Sequence, residues 1–277
     1  LQRKVESTTH SIKVDDTSYP FTSQAAISKI PWQGVDIVIE ATGKFKTKLA
    51  LEQHISSGAK KVILCVPPVD DQIKMIVAGV NDHKLTPEDC IISNASCTTN
   101  NAAPMLKLIH DAFQIEQAYI TTVQSYTTDQ SLHDQPHKDL RRARAAGQSI
   151  VPTTTGAAKA LTKLFPDLNN VIGGCGIRVP VANGSLCDIT LNVKKKTSIQ
   201  EVNTLFEKAA NGPLKGILEF TQDPIVSIDI VGNTNSCVLD SEMTSVIGKM
   251  IKIIGWYDNE TGYSSRIIDL AYKISRK

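Results

Sequence analysis

The chain has 277 residues, a formal net charge of +2 and a mixed apolar and charged composition, which is typical of a globular protein with one large hydrophobic core or two ordinary ones. The small charge gives no reason to expect nucleic acid as a partner. Since no apolar run approaches the roughly 20 residues that cross a bilayer, we expect no membrane partner either.

Six cysteines in a chain of this length do not form a disulfide framework. Cys65, Cys175 and Cys187 lie in or beside apolar runs, and we interpret them as buried thiols. No segment has the pattern of a secretory signal peptide. Together these features predict a reducing, cytoplasmic setting, and we assign no residue to a metal site.

The first residue is Leu1 rather than methionine, so we expect the chain to be part of a longer protein or a processed product. The sequence contains no Gly-x-Gly-x-x-Gly between a strand and a helix, which is the motif that holds the pyrophosphate of a dinucleotide.

The first hundred residues predict short buried strands and a helix. The helical spacing of residues 48–55 ends at Gly58, and residues 1–30 predict an appended hairpin with a turn at Asp15 and Asp16. Short buried strands that alternate with helices are typical of a parallel sheet covered on both faces. The predicted strands are residues 35–39, 62–66, 75–80 and 90–92.

The pattern changes after Cys97. Residues 185–193 alternate apolar and polar side chains, which favours an antiparallel sheet with one covered face. Helical spacing predicts helices over residues 102–113, 157–164, 199–210 and, at the end of the chain, 267–274. The predicted strands are residues 118–123, 175–179, 186–193, 224–230, 237–239 and 250–256.

The predicted fold class is α/β plus α+β: the remainder of a doubly wound, parallel Rossmann-like sheet, followed by a domain built on a mixed or antiparallel sheet. We place the incomplete nucleotide-binding domain at residues 1–96, joined by a C-terminal helix at 260–277, and the second domain at 97–259. Open parallel sheets bind ligands at the carboxyl ends of their strands, where Thr42 and Gly43 lie.

Residues 93–100 hold one cysteine among hydroxyl and amide side chains. Cys97 follows a strand-like run and precedes a helical one, so we expect its thiol at a helix N-terminus. There the free N–H groups and the helix dipole stabilise a thiolate, which is the nucleophilic form. The alternative is a small buried core cysteine, but four hydrogen-bonding neighbours favour the nucleophile.

Residues 96–100 resemble the active-site signature of the phosphorylating glyceraldehyde-3-phosphate dehydrogenases. The resemblance covers almost the whole chain and is strongest to the bacterial form, for which residues 138–144 are the specific mark. It implies a glycolytic oxidoreductase with Cys97 as its catalytic nucleophile. Further matching segments, in the order of the family, are residues 40–43, 122–123, 152–159, 177–180 and 256–263.

The resemblance implies two anion sites near Cys97. Each of these residues has a plainer alternative. Arg178 could form a structural ion pair, and Thr155 and Gly156 could be a simple N-cap rather than an anion-binding helix N-terminus. The basic run at residues 141–144 could be a solvated surface. The residues implied for inorganic phosphate are Ser96, Thr98, Thr155 and Gly156. Those implied for the substrate phosphate are Thr127, Asp129 and Arg178, with Arg142 or Arg144 assisting.

The resemblance also implies NAD as the cofactor. Thr42 and Gly43 would lie along it, Asn259 would bind the nicotinamide carboxamide, and Tyr263 would pack near the ring. Without the resemblance, ordinary turn and core packing accounts for these residues. In the family the glycine-rich loop and the acidic residue that grips the adenosine ribose precede the position of Leu1.

Residues 126–149 form a long, polar and basic segment. Long ordered loops are usually functional or belong to interfaces. In the family this segment lines the cofactor site of a neighbouring subunit and helps to build a homotetramer, which is the assembly that the resemblance implies here.

The chain departs from the family at Gln124, where the resemblance implies a histidine general base. Glutamine takes up no proton near pH 7, and loss of a general base typically costs on the order of 10²–10⁴ in rate. The explanations are an engineered substitution, a natural paralogue with altered chemistry, or compensation by another base such as His133 or His137.

The implied reaction is oxidation of glyceraldehyde 3-phosphate with NAD⁺ and inorganic phosphate through a Cys97 thioester, which gives 1,3-bisphosphoglycerate and NADH. The alternatives are erythrose 4-phosphate as the substrate, an impaired fragment or paralogue that acts as a binding or structural subunit, and a residual acyl-transfer or esterase activity.

Overall fold

The computed structural model describes residues 3–276, so the predicted domain limits at Leu1 and Lys277 lie outside the described residues. Within residues 3–276 the chain forms three β-sheets and five α-helices. The predicted fold class is confirmed, because a parallel sheet is followed along the chain by a larger mixed sheet, and helices pack against both.

The first described residues form a three-stranded antiparallel sheet rather than a single hairpin. Its strands, paired in chain order, are β1 (Val5–Ser7), β2 (Ser11–Val14) and β3 (Thr17–Pro20). The predicted turn at Asp15 and Asp16 joins β2 to β3. Asp15 adopts a left-handed backbone with a φ of 53°, which aspartate tolerates.

A four-stranded parallel sheet follows. Its strands are β4 (Ile37–Glu40), β5 (Lys61–Leu64), β6 (Lys74–Met75) and β7 (Ile91–Ser93). They are arranged in the order β4-β5-β7-β6. Helix α1 (Lys48–Ser56) connects β4 to β5 and begins at Thr47, whose hydroxyl accepts a hydrogen bond from Ala50 N–H.

The strand predicted over residues 75–80 is wrong beyond Met75. The Asn81 side chain takes the place of a partner strand there: its Oδ1 accepts from Val77 N–H at 2.8 Å, and its Nδ2 donates to the Met75 carbonyl at 2.8 Å. Because these bonds satisfy the local backbone groups, the chain turns instead of continuing as a strand.

The larger sheet is mixed. Its strands are β8 (Ile115–Ser125), β9 (Val151–Thr153), β10 (Ile172–Val179), β11 (Ser185–Val193), β12 (Leu218–Thr221), β13 (Cys237–Ile247) and β14 (Met250–Tyr257). The spatial order is β12-β13-β14-β11-β8-β10-β9. The sequence predicts neither β9 nor β12. The strand predicted over residues 224–230 is wrong, since residues 227–230 form turns and residues 224–226 have no regular structure.

Helices cover the inner face of this mixed sheet. They are α2 (Cys97–Phe113), α3 (Ala157–Leu164) and α4 (Ile199–Asn211), and α5 (Thr261–Ser275) follows β14. The main hydrophobic core lies between α2, α3, α4 and the mixed sheet.

A second core joins the end of the chain to the parallel sheet. Ile267, Leu270 and Ile274 of α5 pack with Ile63 and Ile92 of β5 and β7. The last helix therefore packs against the parallel sheet formed by the first hundred residues.

The cysteines differ in burial. Cys187 is buried as predicted, whereas Cys65 and Cys175 are only partly buried, so the interpretation of these two as buried thiols is wrong. Partial burial, reinforced by the charge of Glu40, raises the pKa of Cys65 to about 11. Within residues 3–276, no helix is both long enough and apolar enough to cross a bilayer.

Candidate active site

A cavity of about 350 Å³ lies where the start of α2 meets the mixed sheet. It brings together residues that are far apart in sequence, because β8, β10, the start of α3 and the turn after β14 all contribute to its wall. Ten residues implied by the resemblance line it: Ser96, Cys97, Thr98, Gln124, Thr127, Arg142, Thr155, Gly156, Arg178 and Asn259.

Cys97 is the first residue of α2. The preceding Ser96 caps the helix, because its hydroxyl accepts a hydrogen bond from Thr99 N–H at 3.1 Å. The sulfur therefore lies at the positive end of the helix dipole, as the sequence predicts.

Burial nevertheless raises the pKa of the Cys97 thiol above its usual range. The N–H and hydroxyl of Thr98 and the charge of Arg178 act in the opposite direction, but they do not outweigh the loss of solvation. The helix start therefore favours the thiolate, as the sequence predicts, but burial favours the thiol more strongly.

Arg178 lies on β10 and is paired in register with Gln124 of β8. Its Nη1 donates to the Ser125 carbonyl at 2.8 Å, whereas its Nε is buried without a partner among the described residues. Burial lowers the pKa of the guanidinium, but arginine stays charged in proteins. A buried donor of this kind in a cavity is suited to an anionic ligand.

Gln124 starts a chain of hydrogen bonds beneath the cavity. Its Nε2 donates to Thr98 Oγ1 at 2.7 Å. That oxygen lies 3.1 Å from the hydroxyl of Tyr257, which in turn lies 3.3 Å from Thr122 Oγ1. Burial raises the pKa of Tyr257 well above its usual range, so the phenol stays protonated and takes no proton from a substrate.

The two arginines proposed to assist lie in different places. Arg142 lines the cavity; its Nε and Nη2 donate to Thr153 Oγ1 at 2.9 and 2.8 Å, and its Nη1 pairs with Asp129. Asp129 itself does not line the cavity. Arg144 pairs with Asp134 and is 65% exposed, outside the cavity wall. The geometry therefore favours Arg142 over Arg144.

The orientation of Asn259 is fixed by three donors. Its Oδ1 accepts from Ser125 Oγ at 2.9 Å and from Ser185 Oγ at 3.1 Å. The Gly184 N–H also reaches this oxygen, at 3.3 Å. Among residues 3–276 no acceptor takes the Nδ2 amide, which is therefore free to donate to a ligand.

Helix α3 begins in the cavity wall. Gly156 is its N-cap, so no side chain caps the helix from that position. Thr155 Oγ1 accepts from Ala157 N–H at 3.2 Å. Thr155, Gly156 and Ala157 line the cavity, and the free N–H groups of a helix start are suited to an anion.

Comparison with known proteins agrees with this geometry. Residues 96–259 match the family described as glyceraldehyde 3-phosphate dehydrogenase, C-terminal domain. The chain is 49% identical over 274 residues to glyceraldehyde-3-phosphate dehydrogenase 2 of Streptomyces avermitilis, a match that covers 98% of this chain and 82% of that protein.

Two further relatives bear the same name. The glyceraldehyde-3-phosphate dehydrogenase of Streptomyces coelicolor is 50% identical over 275 residues, with 98% of this chain and 82% of that protein covered. That of Geobacillus stearothermophilus is 50% identical over 246 residues, with 88% and 73% covered. The chain belongs to the glyceraldehyde-3-phosphate dehydrogenase family.

The residues expected at the dehydrogenase cofactor do not all line this cavity. Asn259 lines it, whereas Thr42, Gly43 and Tyr263 do not. Tyr263 donates its hydroxyl to the Ala95 carbonyl at 3.2 Å, so it holds the segment that precedes α2. Burial raises the pKa of Tyr263, which keeps this donor protonated.

The sequence interpretation of this dehydrogenase missed three polar side chains of the site. Ser125 and Ser185 hold Asn259, and Tyr257 holds Thr98. Tyr257 could have been found from the sequence, because it lies inside segment 256–263, which matches the family. No feature of the sequence indicates Ser125 and Ser185, because they come together only through the pairing of β8 with β11.

Proposed function

We propose that this chain catalyses the NAD-dependent oxidative phosphorylation of glyceraldehyde 3-phosphate to 1,3-bisphosphoglycerate, a step of glycolysis. The observation that carries the proposal is that Cys97, at the start of α2, shares one cavity with Arg178 and the start of α3. The names of relatives that are 49–50% identical support it. They do not favour erythrose 4-phosphate or a non-catalytic subunit.

Covalent chemistry begins at Cys97. The thiolate attacks the aldehyde carbon, and the carbonyl oxygen takes up a proton to give a hemithioacetal. Oxidation removes that hydroxyl proton together with the carbon-bound hydride and leaves a thioester on the sulfur. Inorganic phosphate then attacks the thioester carbonyl, so the acyl phosphate departs and the thiolate is regenerated.

NAD⁺ supplies the hydride acceptor when it is bound. The chain's own residues fit its nicotinamide end, because the Nδ2 amide of Asn259 is a free donor held in a fixed direction and suits a carboxamide oxygen. Thr42 and Gly43 follow β4 at the carboxyl end of the parallel sheet, where dinucleotides bind in folds of this class.

Two anion positions follow from the cavity wall. Arg178, assisted by Thr127 and Arg142, would bind the substrate phosphate, supported by the unpartnered Nε of Arg178. The inorganic phosphate would lie at the start of α3, where Gly156 leaves N–H groups uncapped by any side chain. The residues proposed for this second position are Ser96, Thr98, Thr155 and Gly156.

Gln124 limits the rate of this reaction. Its amide donates to Thr98 and has no basic atom to accept the hemithioacetal proton. It also brings no positive charge to the sulfur of Cys97, whose pKa is raised. A donor amide here still stabilises developing negative charge on oxygen, so we propose a dehydrogenase with lowered turnover rather than one without activity.

The proposed setting is a cytoplasmic homotetramer, with residues 126–149 at an interface. The free cysteines support a reducing compartment. Leu132 and Leu140 of that segment are 69% and 82% exposed, which supports burial against a neighbouring subunit. We keep residues 1–96 with 260–277 as the nucleotide-binding domain and residues 97–259 as the catalytic domain.

The test is NADH formation from glyceraldehyde 3-phosphate, NAD⁺ and phosphate. Cys97→Ala is expected to abolish it, while Cys90→Ala at an exposed thiol serves as the control. Arg178→Gln is expected to raise the KM for the aldehyde by roughly tenfold or more, the scale of a lost charge-assisted contact. Faster turnover of erythrose 4-phosphate, or full activity in Cys97→Ala, would contradict the proposal.

A further inference from the structure

Two ionisable side chains are buried together outside the catalytic cavity and take no part in the chemistry described above. Glu40 ends β4 and is 3% exposed, and His54 of α1 is 2% exposed. His54 Nε2 lies 3.0 Å from Glu40 Oε2, and Trp32 Nε1 donates to His54 Nδ1 at 2.9 Å. Groups of this kind are rarely buried without a structural or functional reason.

The direction of each hydrogen bond in this chain is determined by Trp32. The indole N–H donates only, so Nδ1 of His54 must be the accepting nitrogen, and Nε2 must carry the proton. Nε2–H then donates to Glu40 Oε2. Each partner thus determines whether the next atom donates or accepts. His54 is a neutral imidazole that accepts at Nδ1 and donates from Nε2, and Glu40 Oε2 accepts.

The other carboxylate oxygen holds the loop after β4. Glu40 Oε1 accepts from Thr42 N–H at 2.8 Å and also from the Thr42 hydroxyl. The hydroxyl oxygen in turn accepts from Lys44 N–H at 3.2 Å. Gly43 lies between them with a φ of +69°, a left-handed conformation that needs glycine.

This loop has little else to hold it. A Cβ at Gly43 would meet nothing within 4 Å, and Thr42 is exposed. The buried carboxylate is therefore the anchor that fixes the directions of the Thr42 and Gly43 backbone at the carboxyl end of the sheet.

We propose that Trp32, His54 and Glu40 form a polarised hydrogen-bond chain that positions the Thr42–Gly43 loop for the dinucleotide. The three are positioning residues, because they act through the loop and not on the reacting atoms. The identity of the ligand rests on the proposed function, whereas the positioning of the loop does not.

The fixed direction of these hydrogen bonds gives a specific test. In Glu40→Gln the side chain keeps its shape but carries one acceptor and one donor. If the amide oxygen faces Thr42, the amide nitrogen faces Nε2–H of His54, and two donors meet. If the histidine tautomer reverses, its Nδ1–H meets the indole N–H of Trp32. If the amide turns round, its nitrogen meets the N–H of Thr42. Every arrangement loses one bond.

Adding Trp32→Phe removes the conflict. Nδ1 of His54 then carries the proton, without a partner where the indole was, so Nε2 accepts from the substituted amide. The amide oxygen then returns to Thr42, and the lost bond lies away from the loop. The phenyl ring also keeps most of the contact with the imidazole, whose ring centroid lies 5.9 Å from that of the indole. The double variant is therefore expected to recover what Glu40→Gln loses.

Two measurements on the full chain check this. One is the hydrogen-exchange rate of the Thr42 amide by NMR, which needs no cofactor; the other is the Kd for NAD⁺ by calorimetry. We expect Glu40→Gln to raise both by about tenfold, the scale of one lost buried hydrogen bond to a charged group. Trp32→Phe alone is expected to raise both by less than Glu40→Gln does, because Glu40 keeps its bonds to Thr42. Glu52→Gln, at a carboxylate that is 49% exposed on α1, is the control and is expected to change neither.

Recovery in Glu40→Gln with Trp32→Phe supports the proposal, and so does a Glu40→Gln chain that unfolds while the double variant folds. Unchanged Thr42 exchange in Glu40→Gln overturns it. A double variant no better than Glu40→Gln also overturns it, including the case in which both unfold. If the wild-type chain binds no NAD⁺, the proposed function fails, but Thr42 exchange still decides the positioning.

Discussion

The state of the Cys97 sulfur depends on two opposing effects at the scale of a few ångströms. The start of α2 and the charge of Arg178 favour the thiolate, while burial favours the thiol, and burial is the larger effect. The thiolate forms only as the pH rises through this raised pKa. At neutral pH the nucleophile is therefore a smaller fraction of the thiol than in an exposed cysteine.

Gln124→His is expected to raise turnover by at least about tenfold, because an imidazole accepts the hemithioacetal proton and, when charged, lowers the pKa of Cys97. Turnover and the rate of thiol alkylation are measured against pH. The alkylation profile should shift to lower pH in the variant. Gln117→His, at an exposed position of the same strand, is the matched control, and an unchanged rate in Gln124→His would indicate that another base operates.

The hydroxyl of Tyr257 joins Thr98 to Thr122 beneath the cavity. Tyr257→Phe removes this shared group and leaves buried threonine hydroxyls with fewer partners, which should lower the free energy of unfolding by about 1–3 kcal/mol. Urea denaturation measures the change. Tyr119→Phe, where the ring is 53% exposed on the same sheet, should change it by about 0.5 kcal/mol or less; equal effects would exclude a role for the buried network.

At the scale of elements, the sequence predicts those whose hydrophobic period agrees with their local hydrogen bonding. Helix α3 has the predicted limits, and β11 and β14 differ from prediction by one residue at an end. The predicted strand at residues 224–230 fails because the Asp229 carboxylate accepts from Val226 N–H at 2.7 Å and closes a turn. Apolar composition alone does not reveal this competing side chain.

The residues of the site are likewise predictable only where local sequence places them. Residues that belong to one continuous motif, such as Ser96, Cys97 and Thr98, are placed together by the helix start that the sequence predicts. The sequence does not separate Arg142 from Arg144, because only the fold shows which guanidinium reaches Thr153. It also gives no warning that burial outweighs the helix dipole at the sulfur.

Asn101 is a link between elements. It is fully buried on α2, and its Nδ2 donates to the carbonyls of Gly255 and Trp256 at 3.2 and 3.1 Å. Asn101→Ala should lower the free energy of unfolding by about 1–3 kcal/mol, because two carbonyls of β14 lose a donor. Thermal or urea unfolding measures it. Asn211→Ala at the exposed end of α4 is the control, and a similar loss there would contradict the link.

At the scale of the molecule, the last helix, α5, packs against the parallel sheet formed by the first hundred residues. Lys61 Nζ donates to the Ile274 carbonyl at 2.9 Å, and Lys273 pairs with Asp82. These contacts fix α5 on the parallel sheet, while the turn before α5 carries Asn259 into the catalytic cavity. The C-terminal segment therefore contacts both the parallel sheet and the cavity that contains Cys97.

The proposed homotetramer places residues 126–149 against a neighbouring subunit. Leu140→Asp should shift the assembly to smaller species. Burying one leucine contributes about 1.5–3 kcal/mol to the free energy of association, and a charge at this position removes that contribution in every subunit. Light scattering after size-exclusion chromatography at matched concentrations measures the mass. Leu49→Asp on α1, where the side chain is 77% exposed, is the control outside this segment. Because the interface is proposed to complete the cofactor site of the neighbouring subunit, Leu140→Asp should also weaken NAD⁺ binding; a dissociated variant with unchanged binding would separate assembly from the cofactor site.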